Sequence, residues 1–188
     1  MQTFVKRKST RIKGYDYSQN GYYFITICTK NRVNYFGSVS NNGQMVLNSY
    51  GSIVYDCWKS IPQHYNKAYL DEFVIMPNHI HGILIINNNV ETEQCSVLSK
   101  GNSLSMTAQC AVTTNRNIGL SQIIKSYKEM CTKNIRNNLG DNNFQWQRSF
   151  YDHVIRDEKS LLKIREYIQN NPTKWHLDKY NCEKQDGH

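Results

Sequence analysis

The sequence predicts an α+β domain: an antiparallel sheet carrying helices on one face, with a further helix after the last strand. Three observations predict it. Runs dense in aromatic and β-branched residues alternate with segments whose apolar positions recur at helical spacing. No internal repeat argues for a solenoid. The 188 residues, 39% hydrophobic and 20% charged, supply one core of ordinary size and not two. We therefore expect a single domain over residues 1–188.

The elements follow in order. Lys6, Arg7, Lys8, Arg11 and Lys13 crowd the start of the chain before any periodic pattern begins, which marks residues 1–20 as a basic, extended arm. GYYFITICTKN, residues 21–31, is a largely buried strand. Residues 34–48 hold two short strand-like runs about Asn41-Asn42-Gly43, a peripheral hairpin. From Ser49 to Ile61, the residues Ile53, Val54, Cys57, Trp58 and Ile61 repeat with a helical period, and Pro62 stops it. Leu70 to Met76 and His79 to Asn87 are β-rich and hinge on Pro77-Asn78, which predicts a central antiparallel hairpin. Residues 88–117 turn polar with little periodicity and are expected to be a flexible insertion. Leu120, Ile123, Ile124, Tyr127, Cys131 and Ile135 define one face of a second helix whose other faces carry Lys125, Lys128, Lys133 and Arg136. After Asn137 to Gly140, FQWQRSFYDHVIR supplies a fourth strand. Asp157-Glu158 opens a last helix at the end where its dipole favours acids, and Pro172 closes it. The order β-α-β-β-α-β plus a C-terminal helix is that of a ferredoxin-like fold.

Charge narrows the function. Lys and Arg number 23 against 15 Asp and Glu, a formal net charge of +8, which favours an acidic partner such as nucleic acid. No apolar run is long enough for a membrane span, and the basic N-terminus lacks the apolar stretch of a secretory signal. A cytoplasmic location is expected. The six cysteines, Cys28, Cys57, Cys95, Cys110, Cys131 and Cys182, form no C-x-x-C pair, so neither a zinc finger nor a disulfide framework is expected.

Four residues stand out chemically. His79 and His81 are one residue apart on a strand, so the period of two sets both imidazoles on one face, where they can share a metal ion or simply line a polar face. Tyr167 and Asn171 are four apart on the last helix and stand one above the other, beside the stripe of Leu161, Ile164 and Ile168. Periodicity alone makes Tyr167 an amphipathic residue at the rim of the core. His153 is open to three readings: a ligand, a phosphate contact, or a structural hydrogen-bonding histidine. It is left out of the metal set.

Three separated segments, GYDYSQNGYYFITICTKNR, FVIMPNHIHGILII and FQWQRSFYDHVIRDEKSLLKIREYIQNNP, resemble the REP-associated tyrosine transposases, within the wider HUH single-tyrosine transposases. The likeness runs from about Arg7 to Trp175 in the family's order, leaving the polar insertion unmatched. It implies a strand-transfer enzyme on a ferredoxin-like fold. Tyr167 falls at the nucleophile, His79 and His81 at the histidine ligands, and Asn171 at the third ligand one helical turn after the tyrosine. The resemblance further implies a divalent metal, Mg²⁺ or Mn²⁺, and single-stranded DNA beside a hairpin as the partner. It also implies a monomer in preference to the dimers of insertion-sequence relatives. Tyr151 is the rival nucleophile, without a polar partner one turn beyond it. Lys6, Arg7, Lys8, Arg11, Lys13, Lys125 and Lys128 are candidates for DNA backbone contact. The competing expectations are a non-catalytic or domesticated hairpin-binding protein, and a rolling-circle-type nickase.

Overall fold

The computed structural model describes residues 14–89 and 119–181. The basic cluster Lys6, Arg7, Lys8, Arg11 and Lys13 lies outside the described residues, as does nearly all of the expected insertion at 88–117.

A four-stranded antiparallel sheet forms the centre, built from β1 (Gly21–Cys28), β4 (Ala68–Met76), β5 (His79–Ile86) and β6 (Tyr151–Ile155) in the order β4-β5-β1-β6. With α1 (Ser49–Lys59) between β1 and β4, and α3 (Leu120–Leu139) between β5 and β6, this is the expected ferredoxin-like topology. The hairpin of β2 (Gly37–Val39) and β3 (Met45–Leu47) stands apart as a second sheet. Gly43 takes the left-handed conformation at its turn, φ 70°.

The alternation along each strand divides the molecule into two layers. Tyr23, Ile25 and Ile27 of β1, with Ile80, Leu84 and Ile86 of β5, join the main core with Val54 and Trp58 of α1 and Ile123, Tyr127 and Ile135 of α3. The intervening residues face the other way. Phe24 and Ile83, with Ile155, meet Leu161 and Ile168 of the last helix, α4 (Glu158–Asn170), in a second cluster. Gly82 is required by the first layer, since a Cβ there would lie 2.5 Å from Trp58.

Two elements differ from expectation. The helical pattern does not stop at Pro62: the chain re-forms a short helix, α2 (Ile61–His64), with that proline in its first turn, where a missing N–H costs nothing. The fourth strand begins only at Tyr151, although FQWQRSF has strand composition. Trp146 makes an isolated bridge to Thr29, and the carbonyls of Gln147, Arg148 and Ser149 turn instead to the Lys128 ammonium of α3. Among the described residues no helix is long and apolar enough to cross a membrane.

Candidate metal and nucleophile site

Both histidines of β5 point to the α4 side of the sheet and are fully buried, His79 at 0% exposure and His81 at 1%. Their Nε2 atoms face each other at 3.1 Å. The turn before them explains this orientation. The Asn78 side-chain amide donates to the carbonyls of Arg32 (3.0 Å) and Tyr180 (2.9 Å), which leaves its Oδ1 as the acceptor 2.9 Å from His79 Nδ1. An acceptor at that position holds the proton on Nδ1 and the lone pair on Nε2. His81 Nδ1 lies 2.8 Å from Thr26 Oγ1 on β1, and a hydroxyl serves either tautomer. Phe24 stacks on the His81 ring, with centroids 5.4 Å apart and planes 24° apart.

The last helix brings the tyrosine. Asp157 caps it by accepting from the Ser160 N–H at 2.8 Å. Leu161, Ile164 and Ile168 seat it on the sheet. Arg165 clamps it to Asp71 through Nε (3.0 Å) and Nη2 (2.6 Å), and Gln169 donates to Glu72. A bulge in β4 between Leu70 and Phe73 lets two consecutive acids serve the same helix. Tyr167 consequently hangs over the histidines, 44% exposed, with its hydroxyl 3.2 Å from His81 Nε2 and its ring edge-on to Phe24. Asn171 caps the C-terminus of α4, is 3% exposed, and has a buried Oδ1 with no hydrogen-bond partner among the described residues.

Beyond Pro172 the chain closes the site. A 3-10 turn, Trp175–Leu177, sets the Trp175 ring 6.0 Å from His79, and the Tyr180 ring packs 4.6 Å from the same imidazole. Asp178 Oδ2 lies 3.9 Å from His79 Nε2. Among the described residues, His79, His81 and Asp178 form a group whose possible donor atoms all lie within 4.8 Å of one another. A cleft of about 400 Å³ opens beside them, lined by Tyr167, Asn171, Lys174, Leu177, Asp178 and Lys179.

The donor set fits a divalent cation. Burial, then the neighbouring His81, drives the His79 pKa far below its ordinary value, and burial with the nearby Lys179 lowers His81 to about 3. Both imidazoles are therefore neutral near pH 7. Two neutral rings with oxygen partners on Nδ1 and converging Nε2 atoms are the arrangement metal-binding histidines adopt. A cation with bonds of about 2.1 Å sets neighbouring donors roughly 3 Å apart, and the two Nε2 atoms meet that spacing. Burial raises the Tyr167 phenol, Asp178 raises it further, and a hydrogen bond from Asn171 opposes both.

The structure thus brings His79, His81, Tyr167 and Asn171 to one place. Lys125 is 77% exposed on α3, 3.9 Å from Glu129. Lys128 points inward to three backbone carbonyls, and burial lowers its pKa to about 8. That geometry gives it a structural task. His153 and Tyr151 are exposed on β6, on the α4 side of the sheet. Sequence reasoning missed Asn78, Thr26 and Asp178. Thr26 left a trace as a hydroxyl in an apolar strand, and Asn78 was legible only as a turn residue. Asp178 lies beyond Pro172 and in no periodic pattern, so nothing in the sequence signalled it.

No protein-family model matches the chain. An "Uncharacterized protein" of Haemophilus influenzae is 44% identical over 172 residues, covering 92% of this chain and 91% of its own length; the two belong to one family. A "Putative REP-associated tyrosine transposase" of Haemophilus influenzae is 24% identical over 161 residues, 85% of this chain and 74% of that protein. Among solved structures, a REP-associated tyrosine transposase bound to a REP hairpin shares the fold with a TM-score of 0.53 at 18% identity, over 95% of this chain and 77% of that one. In sequence and in fold, the chain is similar to REP-associated tyrosine transposases.

Proposed function

We infer that the protein is a metal-dependent DNA strand transferase that cleaves and rejoins single-stranded DNA beside a hairpin, with Tyr167 as nucleophile. The observation that carries this reading is the Tyr167 hydroxyl 3.2 Å from His81 Nε2, itself 3.1 Å from His79 Nε2. Nucleophile and ligand pair meet across 86 residues of chain. The relative with a REP hairpin bound supports hairpin DNA as the partner.

His79, His81 and the buried Asn171 Oδ1 would hold the cation, Mg²⁺ or Mn²⁺. Bound there, it supplies positive charge that polarises a phosphate oxygen and offsets the raised phenol. The Tyr167 oxygen attacks phosphorus, forming the Tyr–O–P bond as the P–O3′ bond breaks. The phenol loses a proton and the leaving 3′-oxygen gains one, so the products are a 5′-phosphotyrosine and a free 3′-hydroxyl. Attack by a second 3′-hydroxyl reverses these steps and joins a new strand without ATP. Phe24 and the Arg165–Asp71 clamp hold the tyrosine over the reacting phosphate. Lys174 and Lys179 line the cleft, where their charge attracts the DNA backbone.

The test is incubation of the full chain with end-labelled single-stranded hairpins from the flanks of its own gene, with Mg²⁺ or Mn²⁺, resolved on a denaturing gel. A covalent protein–DNA band lost with EDTA and with Tyr167→Phe is expected. Hairpins shifted on a native gel without any adduct in either metal would instead favour a non-catalytic hairpin-binding protein.

A further inference from the structure

We propose that Asp178 is an anionic ligand of the same cation, and that docking of residues 175–181 completes the metal site. The inference rests on the metal-site reading above and extends it to a segment with no place in the histidine–tyrosine constellation.

The two carboxylate oxygens have different tasks. Asp178 Oδ1 accepts the Tyr180 N–H at 2.7 Å, which turns Oδ2 toward His79 Nε2, 3.9 Å away. The side chain is 5% exposed. His79 carries its proton on Nδ1, toward Asn78, so no hydrogen joins Nε2 to Oδ2. Two lone-pair atoms therefore face one another across a buried gap. Around a cation with bonds of about 2.1 Å, donors stand between roughly 3 Å and roughly 4.2 Å apart, from adjacent to opposite positions. The two separations from His79 Nε2, 3.1 Å and 3.9 Å, fall in that range, and the three donor atoms all lie within 4.8 Å of one another.

The segment carrying Asp178 is fastened to the histidine strand. Asn78, which sets the His79 proton, also donates to the Tyr180 carbonyl at 2.9 Å. The Arg32 guanidinium donates to the Lys179 carbonyl at 3.0 Å and lies over the Tyr180 ring at 5.1 Å. Asn181 donates back to the Trp175 carbonyl at 3.2 Å. Metal and segment therefore stabilise one another, because a ligand that binds only the docked state shifts the chain toward it. The carboxylate also sets selectivity. Imidazoles alone suit Ni²⁺ or Zn²⁺, whereas Mg²⁺ and Mn²⁺ call for oxygen, and charged oxygen most of all.

Calorimetric titration of the full chain with Mn²⁺ and with Ni²⁺ separates a ligand from a structural residue. Asp178→Asn is expected to weaken Mn²⁺ binding by at least about tenfold, a loss several times larger than for Ni²⁺. Asp178→Glu, which keeps the charge, should bind Mn²⁺ more tightly than Asp178→Asn and serves if the latter fails to fold. In wild-type protein Mn²⁺ should slow amide hydrogen exchange over 178–181, and in Asp178→Asn it should not. Unchanged Mn²⁺ affinity in Asp178→Asn, or equal losses for both ions, would overturn the proposal. Wild-type protein that binds no Mn²⁺, or His79→Ala that binds it normally, would instead overturn the metal-site reading on which it rests.

Discussion

At the residue scale, Asn78 holds the most consequences for its size. Its amide satisfies two carbonyls while its oxygen fixes the His79 tautomer, so Asn78→Ala leaves the buried His79 Nδ1 and two partly buried carbonyls without it. A loss of about 1–3 kcal/mol is expected for such orphaned groups, measured by chemical denaturation. A change below about 0.5 kcal/mol would contradict the role. The histidines themselves give a pH prediction. His81 titrates near 3 when folded, against an ordinary 6.5, and His79 is lowered in the same direction. Between these values the unfolded chain binds protons that the folded chain refuses, so metal-free stability falls as pH drops below about 6.5. Thermal melting at pH 7.5 and pH 5 should show the fall, and His81→Asn should reduce it; an equal fall in the variant would contradict it. Much of this site was legible. A period of two united His79 and His81, and a helical turn united Tyr167 with Asn171. Asp178 and Thr26 were not, because their partners depend on strand register and on a loop's path after Pro172, which no local period encodes.

At the element scale, the position of α4 decides whether Tyr167 meets the histidines. Its apolar stripe is modest, and the bidentate Arg165–Asp71 pair fixes it along β4. Because the Arg165 side chain is 36% exposed, a double-mutant cycle with Arg165→Met and Asp71→Asn should give a coupling of about 1 kcal/mol or less. Adduct formation should fall more than stability does, since a small misplacement of a nucleophile is costly. Equal effects on both would show the clamp to be merely structural. Gly82→Ala presses a methyl group against Trp58 and should destabilise by about 1–3 kcal/mol through overpacking. The strands and long helices were readable because each pairs a strong period with clear end signals, such as Asp157 and Gly140. The late start of β6 was not, since Lys128 captures backbone carbonyls of a segment with strand composition.

At the scale of the whole molecule, a net charge of +8 and the Lys174 and Lys179 walls of the cleft predict strongly salt-dependent hairpin binding. If about four phosphates are neutralised, log affinity should fall against log salt with a slope of about −3. A slope near zero would show that these charges do not contact the DNA backbone. In the proposed reaction, one tyrosine of several near the histidines forms the bond to DNA. Tyr151 is exposed on the same side of the sheet, and Tyr180 packs against His79, so loss of activity on mutation is a weaker test than locating the bond. The most direct measurement is tryptic digestion of the trapped protein–DNA adduct after nuclease trimming, with mass spectrometry to find the peptide that carries the nucleotide. The nucleotide is expected on the peptide spanning 166–174, attached to Tyr167. A nucleotide on the peptide of Tyr151 or Tyr180, with 166–174 unmodified, would contradict it.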